Sequence, residues 1–313
     1  MLTPSQVRGG VYGLLLGDAA GVPYEFNPPA TLAPWADQVD MVPPAGFART
    51  YAVPPGTWSD DGALMLCLLE SLAEAGRFDP DDQARRMVAW LDDGHLAVDG
   101  RVFDVGIATR AALGRARGLL RRGISPAGRG ESHEESASNG SLMRILPLAL
   151  WHGGPDAELA RLAMDHSALT HAHPLCRACC AIYCLWARGL ATGVADPFEA
   201  ALERVGALVR DDPALVAALA RVEAHRDLPP TGTGFVVDTL LSARHVLAAG
   251  TDFRDVVRRA ILLGHDTDTT AAVAGGLAGI KFGAAGLPAD WMALLRGREL
   301  VEPILGRMGL AAP

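Results

Sequence analysis

Two short acidic clusters carry the strongest chemical signal in the sequence. The first, Trp58-Ser59-Asp60-Asp61-Gly62, stands directly before the apolar run Ala63 to Leu72 and so places three oxygen-bearing side chains in the first turn of a helix. Ordinary capping accounts for this cluster taken alone, because Ser and Asp satisfy the free amides and the helix dipole there. The second, Gly264-His265-Asp266-Thr267-Asp268-Thr269-Thr270, again precedes an apolar helix, Ala271 to Gly279. Side chains at i and i+2 diverge within a regular helix, so Asp266 and Asp268 can converge only at a helix entrance. The small residues Ala274, Gly275, Gly276, Ala278 and Gly279 allow close packing that brings another helix start near. Ser59, Asp60, Asp61, Asp266, Asp268 and Thr269 then form an all-oxygen set. Clustered carboxylates raise one another's pKa unless cations intervene. Hard oxygen ligands suit Mg²⁺, Mn²⁺ or Ca²⁺ better than Zn²⁺, and four or five carboxylates balance two divalent ions.

Other stretches could supply the rest of a site. Glu25, between Tyr24 and Phe26 after the turn Gly21-Val22-Pro23, is either a solvated loop acid or a further carboxylate that moves with its loop. Ser136 to Arg144 is a polar turn opening into a helix; its amides and hydroxyls could cradle a phosphate or ribose, or Ser138 or Asn139 could simply cap. Asp104 opens a further helix, as a cap first and a catalytic candidate second. His166, His171 and His173 invite a zinc reading, but their spacing does not put all three on one helical face, so a surface, core or substrate-contact role is preferred. Cys176, Cys179, Cys180 and Cys184 recur at helical spacing among apolar residues and are read as small buried side chains, since the single CxxC has no second pair to answer it.

The elements that must position these residues are helical throughout. The 3.6-residue apolar period and the wealth of Ala, Leu and Arg predict helices near 4–21, 60–75, 80–92, 104–121, 140–152, 156–166, 170–190, 197–210, 213–224, 236–249, 252–263, 267–282 and 289–308. Gly76, Gly153, Gly250 and Gly283 supply stops, and Asp79-Pro80 and Asp196-Pro197 supply starts. A Pro-rich stretch from Asn27 to Pro55 and a polar one from Gly123 to Ser138 are expected as long surface loops bordering a site. Helices of the same composition resume on both sides, so residues 1–313 are expected to form a single all-α domain.

Length and charge exclude several classes. The 313 residues carry 28 Lys+Arg against 36 Asp+Glu, a net charge of −8, which argues against a general nucleic-acid binder. No apolar run approaches the roughly 20 residues of a membrane span. Gly9 to Leu16 after Arg8 imitates a short signal peptide, but Asp18 cuts it. Five cysteines, an odd count in a chain this long, do not suggest a secreted disulfide framework, and a cytoplasmic location is expected.

Taken in order, GDAAGVPYEF, WSDDGALMLCLLESL, FDVGIATRAAL, SASNGSLMRILPLAL, LTHAHP and GHDTDTTAAVAGGLAG resemble the ADP-ribosylglycohydrolase family, from residue 13 to about residue 283. The resemblance implies a single compact all-α domain with a dinuclear Mg²⁺ or Mn²⁺ centre at helix N-termini. It implies hydrolysis of the bond between the ribose anomeric carbon of ADP-ribose and an acceptor, releasing ADP-ribose from a protein or small molecule. By it, Ser59, Asp60, Asp61, Asp266, Asp268 and Thr269 match metal ligands, and Glu25 matches a mobile acid near the metals. Ser136, Asn139 and His171 match contacts to ADP-ribose, and Asp104 an acid beside the ribose. Glu25 or Asp104 would handle the proton. Ser59 stands where Thr is frequent, and His265 where Gly is frequent. Arginine is the first expectation for the acceptor, serine the second, with small molecules or nucleic-acid ends behind. A phosphoesterase sharing the carboxylates and a non-catalytic ADP-ribose binder are the alternatives.

Overall fold

A computed structural model describes residues 2–310. Fifteen α-helices follow one another: α1 (Pro4–Gly21), α2 (Pro29–Leu32), α3 (Asp60–Ala75), α4 (Pro80–Asp93), α5 (Ile107–Leu120), α6 (Leu146–Trp151), α7 (Asp156–Ser167), α8 (Pro174–Thr192), α9 (Pro197–Val209), α10 (Pro213–His225), α11 (Val236–Ala249), α12 (Phe253–Leu262), α13 (Thr267–Phe282), α14 (Ala289–Leu294) and α15 (Arg298–Arg307). Among the described residues there is no β-strand, only two isolated bridges, Glu131 with His171 and Ser138 with Phe235.

The antiparallel pair α1 and α13 forms the centre, and both helices are buried on every side over most of their length, as expected of core helices rather than amphipathic surface ones. Their contact is backbone to backbone. A methyl group on Gly9 would fall 2.1 Å from the Gly279 carbonyl, one on Gly13 2.4 Å from that of Gly275, and one on Gly17 2.1 Å from that of Ala271. The seam ends where Gly21 lies against the backbone of Asp268. Glycine every fourth residue therefore delivers the start of α13 to the end of α1. The start of α3 reaches the same place because the Asp18 carboxylate, on α1, accepts hydrogen bonds from the Ser59 and Gly62 amides at 2.8 to 3.0 Å.

Around this pair, the predicted helices 4–21, 60–75, 236–249 and 267–282 are found with the same bounds, and most others within a residue or two. Asp79 and Asp196 cap α4 and α9 ahead of their prolines. Four differences have local causes. The helix predicted from 104 begins at Ile107, because Asp104 lies in the left-handed region (φ 54°) and Gly106 is extended. The helix predicted over 140–152 is a short 3-10 turn at Asn139–Ser141 and then α6, with Pro147 in its first turn. α8 begins at Pro174 rather than 170, the residues before it turning to meet Glu131. The segment 289–308 is two helices split at Gly297 (φ 72°), where the Arg296 amide bonds the Gly56 carbonyl. The Pro-rich stretch also holds α2 and a 3-10 turn at Ala33–Gln38.

All five cysteines are buried free thiols, and they join the apolar core. The three histidines diverge: His166 packs against Phe78, His171 lies under Ser138, and His173 pairs with Glu134. No described helix is long and apolar enough to cross a membrane.

Candidate active site

Two helix starts meet at the end of α1, and their side chains bring the carboxylates together. Asp18, Asp61 and Asp268 each offer an oxygen within 4.8 Å of the others, and so do Glu25, Asp266 and Asp268. Asp268 is common to both groups. Asp266, just before α13, and Asp268, in its first turn, thus converge at a helix entrance. The Asp61 Oδ2 accepts from Ser59 Oγ at 3.2 Å and from Thr269 Oγ1 at 3.3 Å, so hydroxyls from both clusters close on one oxygen. Asp60 lines the adjoining cavity instead.

These acids are badly placed as bare anions. Burial, reinforced by Asp104 and Asp266, pushes Glu25 up to about 11. Burial also raises Asp18, to about 7, against the pull of the Ser59 and Gly62 amides. Asp60, Asp61, Asp266 and Asp268 are all raised, with burial again the first cause. One oxygen each of Glu25, Asp61 and Asp268 is buried without a hydrogen-bond partner. Orphaned anionic oxygens facing one another are what a cation site requires and what a packed core avoids. The donor set is carboxylate and hydroxyl, with no Cys or His in either group, so a hard divalent cation fits it.

A cavity of about 810 Å³ opens over this cluster, within the size range of small-molecule sites. Glu25, Asp60, Asp104, Asp266 and Thr269 line its acidic part; Ser136, Ser138, Asn139 and Gly140 bring in the polar turn. Asn139 Nδ2 donates to Asp266 Oδ2 at 2.8 Å and to Thr239 Oγ1 at 3.0 Å, tying that turn to the start of α13. Tyr51 donates its hydroxyl to Asp104 Oδ1 at 2.8 Å. The loop carrying Glu25 is clamped to His265 by two backbone hydrogen bonds, Phe26 N to His265 O at 2.6 Å and His265 N to Asn27 O at 2.7 Å. Phe26, Asp104 and His265 all have φ between 54° and 60°, and all three line the cavity. Such conformations in non-glycine residues store strain that concentrates at functional sites.

The family model for ADP-ribosylglycohydrolase matches residues 2–312. The chain belongs to the ADP-ribosylglycohydrolase family. Among relatives, it is 31% identical to the ADP-ribosylarginine hydrolase Tri1 of Pseudomonas putida, over 100% of this chain and 81% of that one. It is 29% identical to the ADP-ribosyl-[dinitrogen reductase] glycohydrolase of Rhodospirillum rubrum, over 96% of both chains. A solved structure described as an ADP-ribosylglycohydrolase-related protein complex superposes with a TM-score of 0.74 at 30% identity, covering 99% of each chain. The all-α architecture expected from the sequence is that of an ADP-ribosylglycohydrolase.

Of the residues picked out from the sequence, the fold gathers Glu25, Ser59, Asp60, Asp61, Asp104, Asp266, Asp268 and Thr269 at or beside the acidic cluster. Ser136 and Asn139 reach the cavity wall. His171 is buried behind that wall, its Nε2 3.0 Å from Ser138 Oγ. Sequence reasoning passed over Asp18 as a group of this site. Its signal was present: a lone acid inside an apolar helix is rarely buried without partners. Tyr51, which meets Asp104, and Glu131, which lines the cavity, belong to the two long loops expected to border a site but were not singled out as site residues, and Thr233, also on the cavity wall, was passed over.

Proposed function

We propose that this ADP-ribosylglycohydrolase cleaves the bond between the anomeric carbon of ADP-ribose and the guanidinium of an arginine. The observation that carries this is the pair of carboxylate groups sharing Asp268 beneath a cavity of small-molecule size. The choice of arginine leans on the full-length relatives whose names specify ADP-ribosylarginine.

Ser59, Asp60, Asp61, Asp266, Asp268 and Thr269 would hold two divalent cations, Mg²⁺ or Mn²⁺. Bound there, such ions polarise the ribose hydroxyls and lower the pKa of a water molecule. Asp18 holds the start of α3 against the end of α1, which fixes Ser59 and Asp61. Glu25 belongs to the second carboxylate group and, through its clamped loop, sets the width of that group. Asp104 stands in the cavity outside both groups, oriented by Tyr51, and we assign to it the proton transfer: it takes one proton from the attacking water as the carbon–oxygen bond forms and delivers it to the guanidine nitrogen as the carbon–nitrogen bond breaks. Ser136 and Asn139 face the ADP-ribose, with His171 supporting their turn from behind. An acidic cavity favours a cationic acceptor such as arginine over a nucleic-acid end. Five reduced cysteines suit the cytoplasm.

The test is release of free ADP-ribose from arginine-linked and serine-linked ADP-ribosylated peptides, with Mg²⁺, with Mn²⁺ and with a chelator. Metal-dependent release from the arginine-linked peptide is expected. Release from the serine-linked peptide alone would overturn the choice of acceptor, and release unaffected by the chelator would overturn the cation assignment.

A further inference from the structure

Phe26 is held where a bulky apolar residue gains least. Its backbone lies in the left-handed region (φ 60°), an outlier for a large side chain, and its side chain is 65% exposed on the wall of the cavity. The backbone is not free to relax. Phe26 N donates to the His265 carbonyl at 2.6 Å, and the Glu25 carbonyl accepts from Thr50 Oγ1 and from Asn27 Nδ2. Strain of this kind on a cavity wall, in a residue that burial does not reward, marks a ligand contact.

The ring stands among other rings and acids. Its centroid is 6.4 Å from that of Tyr51, which in turn is 5.1 Å from that of Phe103. Tyr51 donates to Asp104, and Glu25 precedes Phe26 in the chain. Phe26 therefore adjoins both the acid assigned to proton transfer and the acid of the second carboxylate group, at the end of the cavity where the bond breaks. Beyond that bond lies the acceptor.

The surroundings decide what such a ring can hold. Glu25, Asp60, Asp104, Glu131, Glu135 and Asp266 line the cavity, and among the described residues no lysine or arginine does. The face of a phenyl ring is the negative pole of its quadrupole and attracts a cation placed over it. A planar guanidinium stacks on that face and still presents its N–H edge to a carboxylate. The other rings on the wall are imidazoles: His133 is turned to Glu131 and Glu135 at 3.6 and 3.1 Å, and His265 carries a basic nitrogen of its own. Ile107, also strongly exposed on the wall, has no π face. A guanidinium keeps its plane and its charge when one nitrogen bears a ribose, whereas a serine-linked acceptor brings neither to the ring.

We infer that Phe26 is a specificity-determining residue whose ring face stacks on the guanidinium of the acceptor arginine, backed by Tyr51, and so favours arginine-linked over serine-linked ADP-ribose. The inference rests on the arginine assignment above and adds the side chain that selects that acceptor.

Two variants test it. Phe26→Leu keeps an apolar side chain without a π face, and Phe26→Tyr keeps the face. On the arginine-linked peptide with Mg²⁺, Phe26→Leu should lose roughly 3- to 10-fold in kcat/KM, the range of one cation–π contact, while Phe26→Tyr should retain the wild-type value. Ethylguanidinium should inhibit the wild type better than its neutral isostere ethylurea, and Phe26→Leu should narrow that difference by the same factor, which a merely structural role would not do. ADP-ribose, which lacks the acceptor, should bind both variants as it binds the wild type in calorimetric titration. Unchanged kcat/KM in Phe26→Leu, or equal inhibition of the wild type by the two probes, overturns the inference and leaves the arginine assignment standing. A loss of ADP-ribose affinity in Phe26→Leu equal to its loss of kcat/KM places the ring against ADP-ribose itself and also overturns the inference. Failure of the wild type to release ADP-ribose from the arginine-linked peptide overturns both.

Discussion

At the residue scale, acids that look alike in sequence separate by what surrounds them. Asp268 belongs to both carboxylate groups and keeps one buried oxygen unpartnered, whereas Asp104 meets a tyrosine hydroxyl at the cavity wall. The two should fail differently. Asp268→Asn is expected to abolish turnover and remove the stabilisation given by Mg²⁺, while leaving the metal-free fold at least as stable, because it takes one charge out of a repelling cluster. Asp104→Asn is expected to keep Mg²⁺ binding and ADP-ribose affinity and lose roughly 10²- to 10⁴-fold in kcat, the usual range for a proton-transfer group. Steady-state kinetics beside thermal melts with and without Mg²⁺ read both. A loss of ADP-ribose affinity equal to the loss of kcat in Asp104→Asn would make it a binding residue instead. The two acidic clusters were legible in sequence because both stand at starts of apolar runs. Asp18 was not, because its partners are amides 41 and 44 residues away, and backbone donors leave no mark in side-chain spacing.

At the element scale, the site depends on how closely α1 and α13 approach. The periodic apolar pattern located these helices, and the small residues of α13 signalled close packing. The matching glycines of α1 carry the other half of the signal, yet which pair of helices shares a seam depends on pairing across the whole chain. The ends of elements were less legible, since Asp104, Gly297 and the turn before α6 depart from the helix through local backbone geometry that apolar periodicity does not register. The seam itself is testable. Gly13→Ala puts a methyl group 2.4 Å from a carbonyl oxygen, so the helices must separate, at a cost of about 3 kcal/mol. Gly114→Ala, in the exposed middle of α5 with nothing within 4 Å of the added carbon, should instead stabilise by about 0.5 to 1 kcal/mol. Urea unfolding of the two variants should move the midpoint in opposite directions. Equal shifts would mean that the seam has slack. Gly13→Ala should also weaken Mg²⁺ binding, because the seam sets the distance between Asp18 and Asp268.

At the scale of the whole molecule, the acidic cluster couples cation binding to folding and to pH. Glu25, Asp18, Asp60, Asp61, Asp266 and Asp268 all have raised pKa values in the folded, metal-free protein. For a carboxyl raised on folding, the native state binds more protons than the unfolded chain, so its contribution is present at low pH and is lost as pH rises toward the folded pKa. With Asp18 at about 7 and Glu25 at about 11, that loss continues through neutrality. Paired carboxylates such as Asp82 and Glu70 are lowered instead, and their stabilisation disappears only in acid. The buried His166 and His171, both lowered, favour the folded state as pH rises through their unfolded value. These groups titrate alike with and without metal, so the difference between the two conditions isolates the cluster. A cation must displace the protons, and its binding strengthens as they become easier to remove. The rise in Tm produced by a fixed Mg²⁺ concentration should therefore grow steadily between about pH 5.5 and about pH 8, and a chelator should abolish it. Asp268→Asn should flatten the dependence. A Mg²⁺-induced shift that is independent of pH, or one that survives in Asp268→Asn, would place the cation somewhere other than among these carboxylates.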